Sequence, residues 1–139
     1  MTEKFEQISV KQGFMKHNGG VLFRVISNNE YEFKSKINEN HLNTAGITHG
    51  GYIAAFVDAG AGTAAHQAAN QNSCVTISLE LKFIAPVKLG KELIGRTKIQ
   101  KKTKSMVFLT CELTSENKIV ATASGVWKIL KLTGAGPGG

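Results

Sequence analysis

Two cysteines, two prolines, one tryptophan and an aromatic share of 7% leave this chain without the raw material of several protein classes. Cys74 and Cys111 both fall inside strand-like runs, where a free cysteine behaves as a small buried hydrophobe. No disulfide framework is expected, and both thiols are read as reduced. No run of about 18 apolar residues occurs, so no membrane-spanning helix and no membrane partner are expected. The opening Met1-Thr2-Glu3-Lys4-Phe5-Glu6 mixes charges where a signal peptide needs an apolar stretch, and a cytoplasmic location is expected. His41, His49, His66 and Asp58 show no recognised metal-ligand spacing, so no metal is expected. Internal repeats are absent. Acid is the scarcer charge, ten residues against seventeen basic ones, for a net charge of +7. That balance invites a nucleic-acid reading, but the lysines are scattered, no recognition helix or RNP-like motif occurs and aromatics are few, so no nucleic-acid partner is expected.

What is present centres on Asn43-Thr44-Ala45-Gly46-Ile47-Thr48-His49-Gly50-Gly51 and the small-residue segment that follows. Eight alanines between Ala54 and Ala69 predict a helix from Gly51 to about Asn70. Its start is odd, because Gly50-Gly51 stand near the position where Ser, Asp or Asn would cap. Asp58 is odd too, a carboxylate well inside an Ala/Gly-rich helix, away from the first turn where the dipole would stabilise it. One reading is a carbonyl site. Bared N–H groups at a helix start favour developing negative charge, and Asn43 and His49 add an amide and an imidazole at the same mouth. Asp58, about two turns on, is too far to cap those donors, but it can act on a water or across a subunit boundary. The plainer reading keeps Gly50-Gly51 as a turn, Asp58 as a solvated residue, and Asn43 and His49 as turn residues with local hydrogen bonds.

The run from His41-Leu42-Asn43 through Gly46 to His49-Gly50-Gly51 and Asp58 resembles the N-x-x-G-x-x-H-G-G-x(6)-D signature of the PaaI-type hotdog-fold acyl-CoA thioesterases. The likeness continues through Val75-Thr76-Ile77-Ser78-Leu79, Phe83-Ile84-Ala85-Pro86 and Leu89-Gly90. It implies an α+β hotdog fold, an antiparallel β-sheet wrapped around one long central helix, and hydrolysis of an acyl-CoA thioester with no cofactor. Under it, the Gly50 N–H binds the thioester oxygen with help from Asn43, and His49 orients the site near the sulfur. Asp58 acts as general base or, alternatively, as nucleophile, and Thr76 helps place the water. The family takes Asp58 from the partner subunit, so a homodimer, or a homotetramer built from two dimers, is implied. A hotdog hydratase or dehydratase and a non-catalytic acyl-CoA-binding hotdog protein are the alternatives, and the H-G-G-x(6)-D spacing with retained Asp58 speaks against both.

Around the motif, residues 2–16 are read as a short amphipathic helix, and strands are expected at 21–27, 31–37, 74–84, 91–102, 105–114 and 118–130. In the third of these, Ile77, Leu79, Leu81 and Phe83 alternate with Thr76, Ser78, Glu80 and Lys82, which assigns the two sets to opposite faces. Lys98, Lys101, Lys102 and Lys104 form the densest basic cluster, read either as a solvated hairpin end or as a substrate-binding site for coenzyme phosphates, and Gly51 at the helix mouth is a further substrate-binding candidate. Tyr52, Phe56, Phe83 and Ile84 are candidates to line an acyl pocket. One domain is expected over 1–132, followed by a flexible glycine-rich tail at 133–139.

Overall fold

The computed structural model describes residues 3–130, and the tail expected at 133–139 lies outside them. The amphipathic helix read over residues 2–16 is replaced by a two-residue strand β1 (Glu6–Gln7) and a single helical turn α1 (Phe14–His17). Non-local pairing prevails there: β1 lies antiparallel to β2 (Leu22–Ser27), and the Gln7 carboxamide oxygen accepts the Ser9 N–H at 2.9 Å and the Val21 N–H at 3.1 Å. Strand β3 (Glu30–Lys36) completes the first hairpin, and a 3-10 turn over Glu39–His41 leads to the long helix α2 (Gly50–Ala68). Asn70 and Gln71, both in the left-handed region at φ 55° and 64°, end that helix. Then come β4 (Cys74–Phe83), β5 (Glu92–Lys102), β6 (Met106–Ser115) and β7 (Lys118–Ile129). The two-residue turn between β6 and β7 puts Glu116 and Asn117 at φ 52° and 64°, the positive-φ pair of a tight hairpin.

All pairings are antiparallel, in the order β1-β2-β3-β5-β6-β7-β4, and the sheet wraps α2 as the hotdog resemblance implies. Packing explains the helix composition. A Cβ on Gly60 of the helix would stand 2.1 Å from the Phe33 ring, and one on Gly95 of β5 would stand 2.4 Å from it. The ring therefore fills a slot that only two glycines leave open, and it tilts against Phe56 with centroids 4.9 Å apart. Leu93, Val107, Leu109, Leu113 and Trp127 bury the rest of the inner face. The outer face carries a cross-strand row of Arg24, Glu32, Arg96, Glu112, Thr122 and Lys82, in which Arg24 and Glu32 form a hydrogen-bonded ion pair.

Strand β4 departs from the expected alternation. Thr76 pairs with Trp127 and Ser78 with Val126, so Ile77 is a bulge residue, 55% exposed, instead of a partner of Leu79 and Leu81 on the apolar face. Phe83 is likewise exposed, at 57%. The bulge carries Thr76 over to the face of Trp127 and Val107, towards the helix, and away from Ser78, Glu80 and Lys82. Strand β4 is also terminal in the sheet, with one edge unpaired among the described residues.

Candidate active site

Thr76 and Asp58, eighteen positions apart, meet: the Thr76 hydroxyl donates to Asp58 Oδ1 at 2.6 Å. Both residues are exposed in the single chain. Because the one hydroxyl hydrogen of Thr76 is committed to the carboxylate, Thr76 can meet a water only through its lone pairs, while Oδ2 of Asp58 stays free to take a proton.

The helix mouth forms a second cluster. His49 is the N-cap of α2, its Nδ1 accepting the Gly51 N–H at 2.7 Å, so the cap missing from Gly50-Gly51 is supplied one residue earlier by an imidazole. A Cβ on Gly51 would lie 2.9 Å from that nitrogen, which is why glycine stands there. In this arrangement the neutral ring carries its hydrogen on Nε2, facing away from the cap as a donor. Gly51 has its own N–H engaged, whereas no acceptor among the described residues meets the Gly50 N–H. The side-chain oxygen of Asn43 accepts from Ala45 N at 2.9 Å and Ile47 N at 3.3 Å, holding the loop and leaving its NH₂ as a free donor. Phe83 leans over the mouth, its ring 3.4 Å from where a Cβ on Gly50 would stand.

A buried support beneath this loop was not identified from the sequence. His41 is 1% exposed and stacks on Tyr52 with ring centroids 3.7 Å apart. Its Nε2–H donates to Asn18 O at 2.6 Å, its Nδ1 accepts from Asn38 N at 3.1 Å, and its backbone oxygen accepts the His49 N–H at 2.7 Å. Tyr52 in turn shares a hydrogen bond of 2.8 Å with Ser35, and Thr48 donates to Val87 O at 2.7 Å. Neither Tyr52 nor Phe56 lines a pocket as expected, since both are buried against the sheet. Only the position of His41 in H-L-N, beside the motif, could have drawn attention to it.

Gly50 and Asp58 share one helix, yet eight residues at ~1.5 Å each keep them ~12 Å apart along its axis. On one chain the N–H donors and the carboxylate therefore stand apart. From Asp58 a cleft of about 740 Å³ runs along α2, lined by Thr76, Gly62, Thr63, His66, Cys74 and Trp127 among others. Burial pushes the Cys74 thiol pKa up, with Lys102 opposing the shift, and burial drives that of Cys111 up to about 12. The lysine cluster divides. Lys98 and Lys101 stand in register with outward residues, Thr110 and Phe108, while Lys102 shares the row of Val107, Trp127 and Thr76. Lys104 sits in the turn that Ser105 O ties to Ile129 N at 2.8 Å, beside Cys74. Among the described residues no group of three or more His, Cys, Asp or Glu side chains is placed to hold a metal, and no helix is long and apolar enough to cross a membrane.

Known proteins resemble this chain in sequence and fold. The thioesterase superfamily model matches residues 45–122. A Pseudomonas aeruginosa protein named as an esterase is 34% identical over 95 residues, covering 68% of this chain and 71% of that protein. Acyl-coenzyme A thioesterase 13 of Mus musculus is 28% identical over 88 residues, 62% of this chain and 63% of the relative. Among solved structures, the E. coli PaaI protein from the phenylacetic acid degradation operon superposes with a TM-score of 0.73 at 18% identity, covering 84% of this chain and 83% of that one.

Proposed function

We propose, from the premise that this chain belongs to the thioesterase superfamily, that it hydrolyses an acyl-CoA thioester at a site completed by a second copy of the chain. The observation that carries the reading is the exposed Asp58 carboxylate, hydrogen-bonded by Thr76 at the mouth of a cleft and remote from the free Gly50 N–H of its own helix. In the shared site, Asp58 of one subunit takes a proton from water as the water oxygen bonds to the thioester carbon. The oxygen of the tetrahedral intermediate gains charge and is met by the Gly50 N–H and the Asn43 amide of the other subunit, at the positive end of α2. Collapse breaks the C–S bond. The thiolate of coenzyme A leaves beside the His49 Nε2–H and takes up, through solvent, the proton that Asp58 drew from water; the acid departs with the new oxygen, and Asp58 is restored. Lys102 and Lys104, on the Cys74 side of the cleft, are suited to the coenzyme phosphates.

Two copies joining along the free edge of β4 would cover that edge, and two such dimers give a tetramer. The test is release of free thiol from a panel of short, long and aromatic acyl-CoA esters. Turnover of at least one ester by the wild type and its loss in Asp58→Asn is the expected result. No turnover anywhere on the panel would overturn the reading.

A further inference from the structure

The Gly50 N–H, on which the proposed chemistry relies, sits in a stretch where two successive glycines leave its direction to be set from outside. Its neighbours set it. The His49 N–H donates to His41 O and the Gly51 N–H to His49 Nδ1, both at 2.7 Å, while the Tyr52 and Ile53 N–H groups reach His49 O at 3.0 and 3.2 Å. From 49 to 53 every amide but that of Gly50 thus finds a partner among the described residues, and each partner belongs to His41 or His49. Of these two histidines, His41 has no part in the chemistry above.

The His41 ring, 1% exposed, is held in opposite senses by two other segments: its Nε2–H donates to Asn18 O at 2.6 Å, and its Nδ1 accepts from Asn38 N at 3.1 Å. Neither anchor is loose. Asn18 gives its Nδ2 and its backbone N–H to Phe14 O at 2.9 and 3.1 Å, and Asn38 Oδ1 accepts from Asn40 N at 2.8 Å. The face of the ring stacks on Tyr52, in the first turn of α2, with centroids 3.7 Å apart and planes 15° from parallel. Both sides of Gly50 are therefore tied to one residue, His49 through the His41 backbone and Tyr52 through the stack. An apolar ring would fill the slot, but only an imidazole puts a donor and an acceptor on opposite sides of so small a flat ring.

We propose that His41 is a positioning residue, whose doubly bonded ring sets the direction of the Gly50 N–H and with it the stabilisation of the tetrahedral oxygen. The inference rests on the thioesterase reading for what that N–H does, and not for where it points. Because the oxygen gains charge only after attack, a misdirected donor impairs turnover more than binding.

The test replaces the ring in steps. His41→Phe keeps the bulk and the stack and removes both hydrogen bonds, whereas His41→Gln keeps an N–H that reaches towards Asn18 O. On a CoA ester, His41→Phe should lower kcat about ten- to hundredfold, as for a group displaced by about 1 Å, with KM within about twofold of the wild type. His41→Gln should lie between the two. An unchanged kcat in His41→Phe, a rise in KM alone, or a His41→Gln as slow as His41→Phe would overturn the inference. A second readout needs no turnover: nuclear magnetic resonance of protein isotopically labelled at its glycine nitrogens. In both variants the Gly50 and Gly51 amide signals should shift while those of Gly60 and Gly62, further along α2, stay in place. Equal shifts in all four would make His41 a core residue only and overturn the inference. If the wild type hydrolyses no ester, the thioesterase reading fails by itself, and the amide signals decide this one. Should His41→Phe not fold, His41→Gln carries both measurements, and a wild-type kcat or an unmoved Gly50 signal in it would overturn the inference.

Discussion

At the scale of single residues, the proposed mechanism gives Asp58 and Thr76 unequal duties. Asp58→Asn keeps the shape and the hydrogen bond from Thr76 but has no lone pair basic enough to take a proton, so kcat should fall by roughly 10²–10⁴ with KM little changed. Thr76→Val leaves the carboxylate in place and removes only its orienting hydroxyl, so kcat should fall about tenfold. Steady-state kinetics on one CoA ester separates them, and Thr76→Val falling as far as Asp58→Asn would reassign Thr76 to the chemistry itself. A second residue-scale consequence concerns Cys111. Burial raises its thiol from 9.0 to about 12, so between those values the unfolded chain releases a proton that the folded chain retains. Stability is therefore unaffected below pH 9.0 and declines as pH climbs through the window to about 12, with Tyr31 and Tyr52, also pushed up by burial, adding to the same slope from 10.0 upward. Urea midpoints measured across that range should fall less steeply in Cys111→Ala than in the wild type. Identical slopes would show that the thiol is not sealed.

At the scale of elements, the sequence makes the long helix legible because alanine propensity and the H-G-G-x(6)-D spacing are local signals, and the hairpins at 28–29 and 116–117 are legible for the same reason. Two elements are not. Strand β1 owes its existence to the edge of β2, a partner that no window around Glu6 contains. The bulge at Ile77 escapes an alternation count, because one extra residue reverses the faces of what precedes it without changing the composition. That single insertion is what brings Thr76 to Asp58, so the least legible feature of β4 is the one that assembles this part of the candidate site. A similar shift between Ile99 and Lys101 divides the lysines. From it follows that Lys102→Ala with Lys104→Ala should raise KM for a CoA ester by a few-fold, and more at low salt, while Lys98→Ala with Lys101→Ala should leave it unchanged. A truncated pantetheine thioester, which lacks the nucleotide phosphates, should show no difference in any of these variants. Equal losses on both thioesters would place the coenzyme phosphates elsewhere.

At the scale of the whole molecule, the proposed site calls for a second chain because Gly50 and Asp58 stand apart on one helix, and β4 offers an edge, unpaired among the described residues, along which one can join. Light scattering should give at least a dimer, but association alone does not prove a shared site. Complementation does. Asp58→Asn is defective only in the carboxylate half, and Asn43→Ala only in the donor half, where it also removes the loop bonds to Ala45 and Ile47. In a mixed dimer one of the two sites collects both defects, and the other collects neither. When the two inactive variants are unfolded together and refolded at equal concentration, random pairing makes about half of the dimers mixed, and about a quarter of the wild-type sites return. Each variant refolded alone should stay at its own low activity, and a variant carrying both substitutions should rescue neither single variant. Mixed refolding that yields no more than the mean of the two variants would mean that donor and base act within one chain. The ~12 Å along α2 would then have to be closed by a rearrangement that the packing of Phe33 between Gly60 and Gly95 opposes.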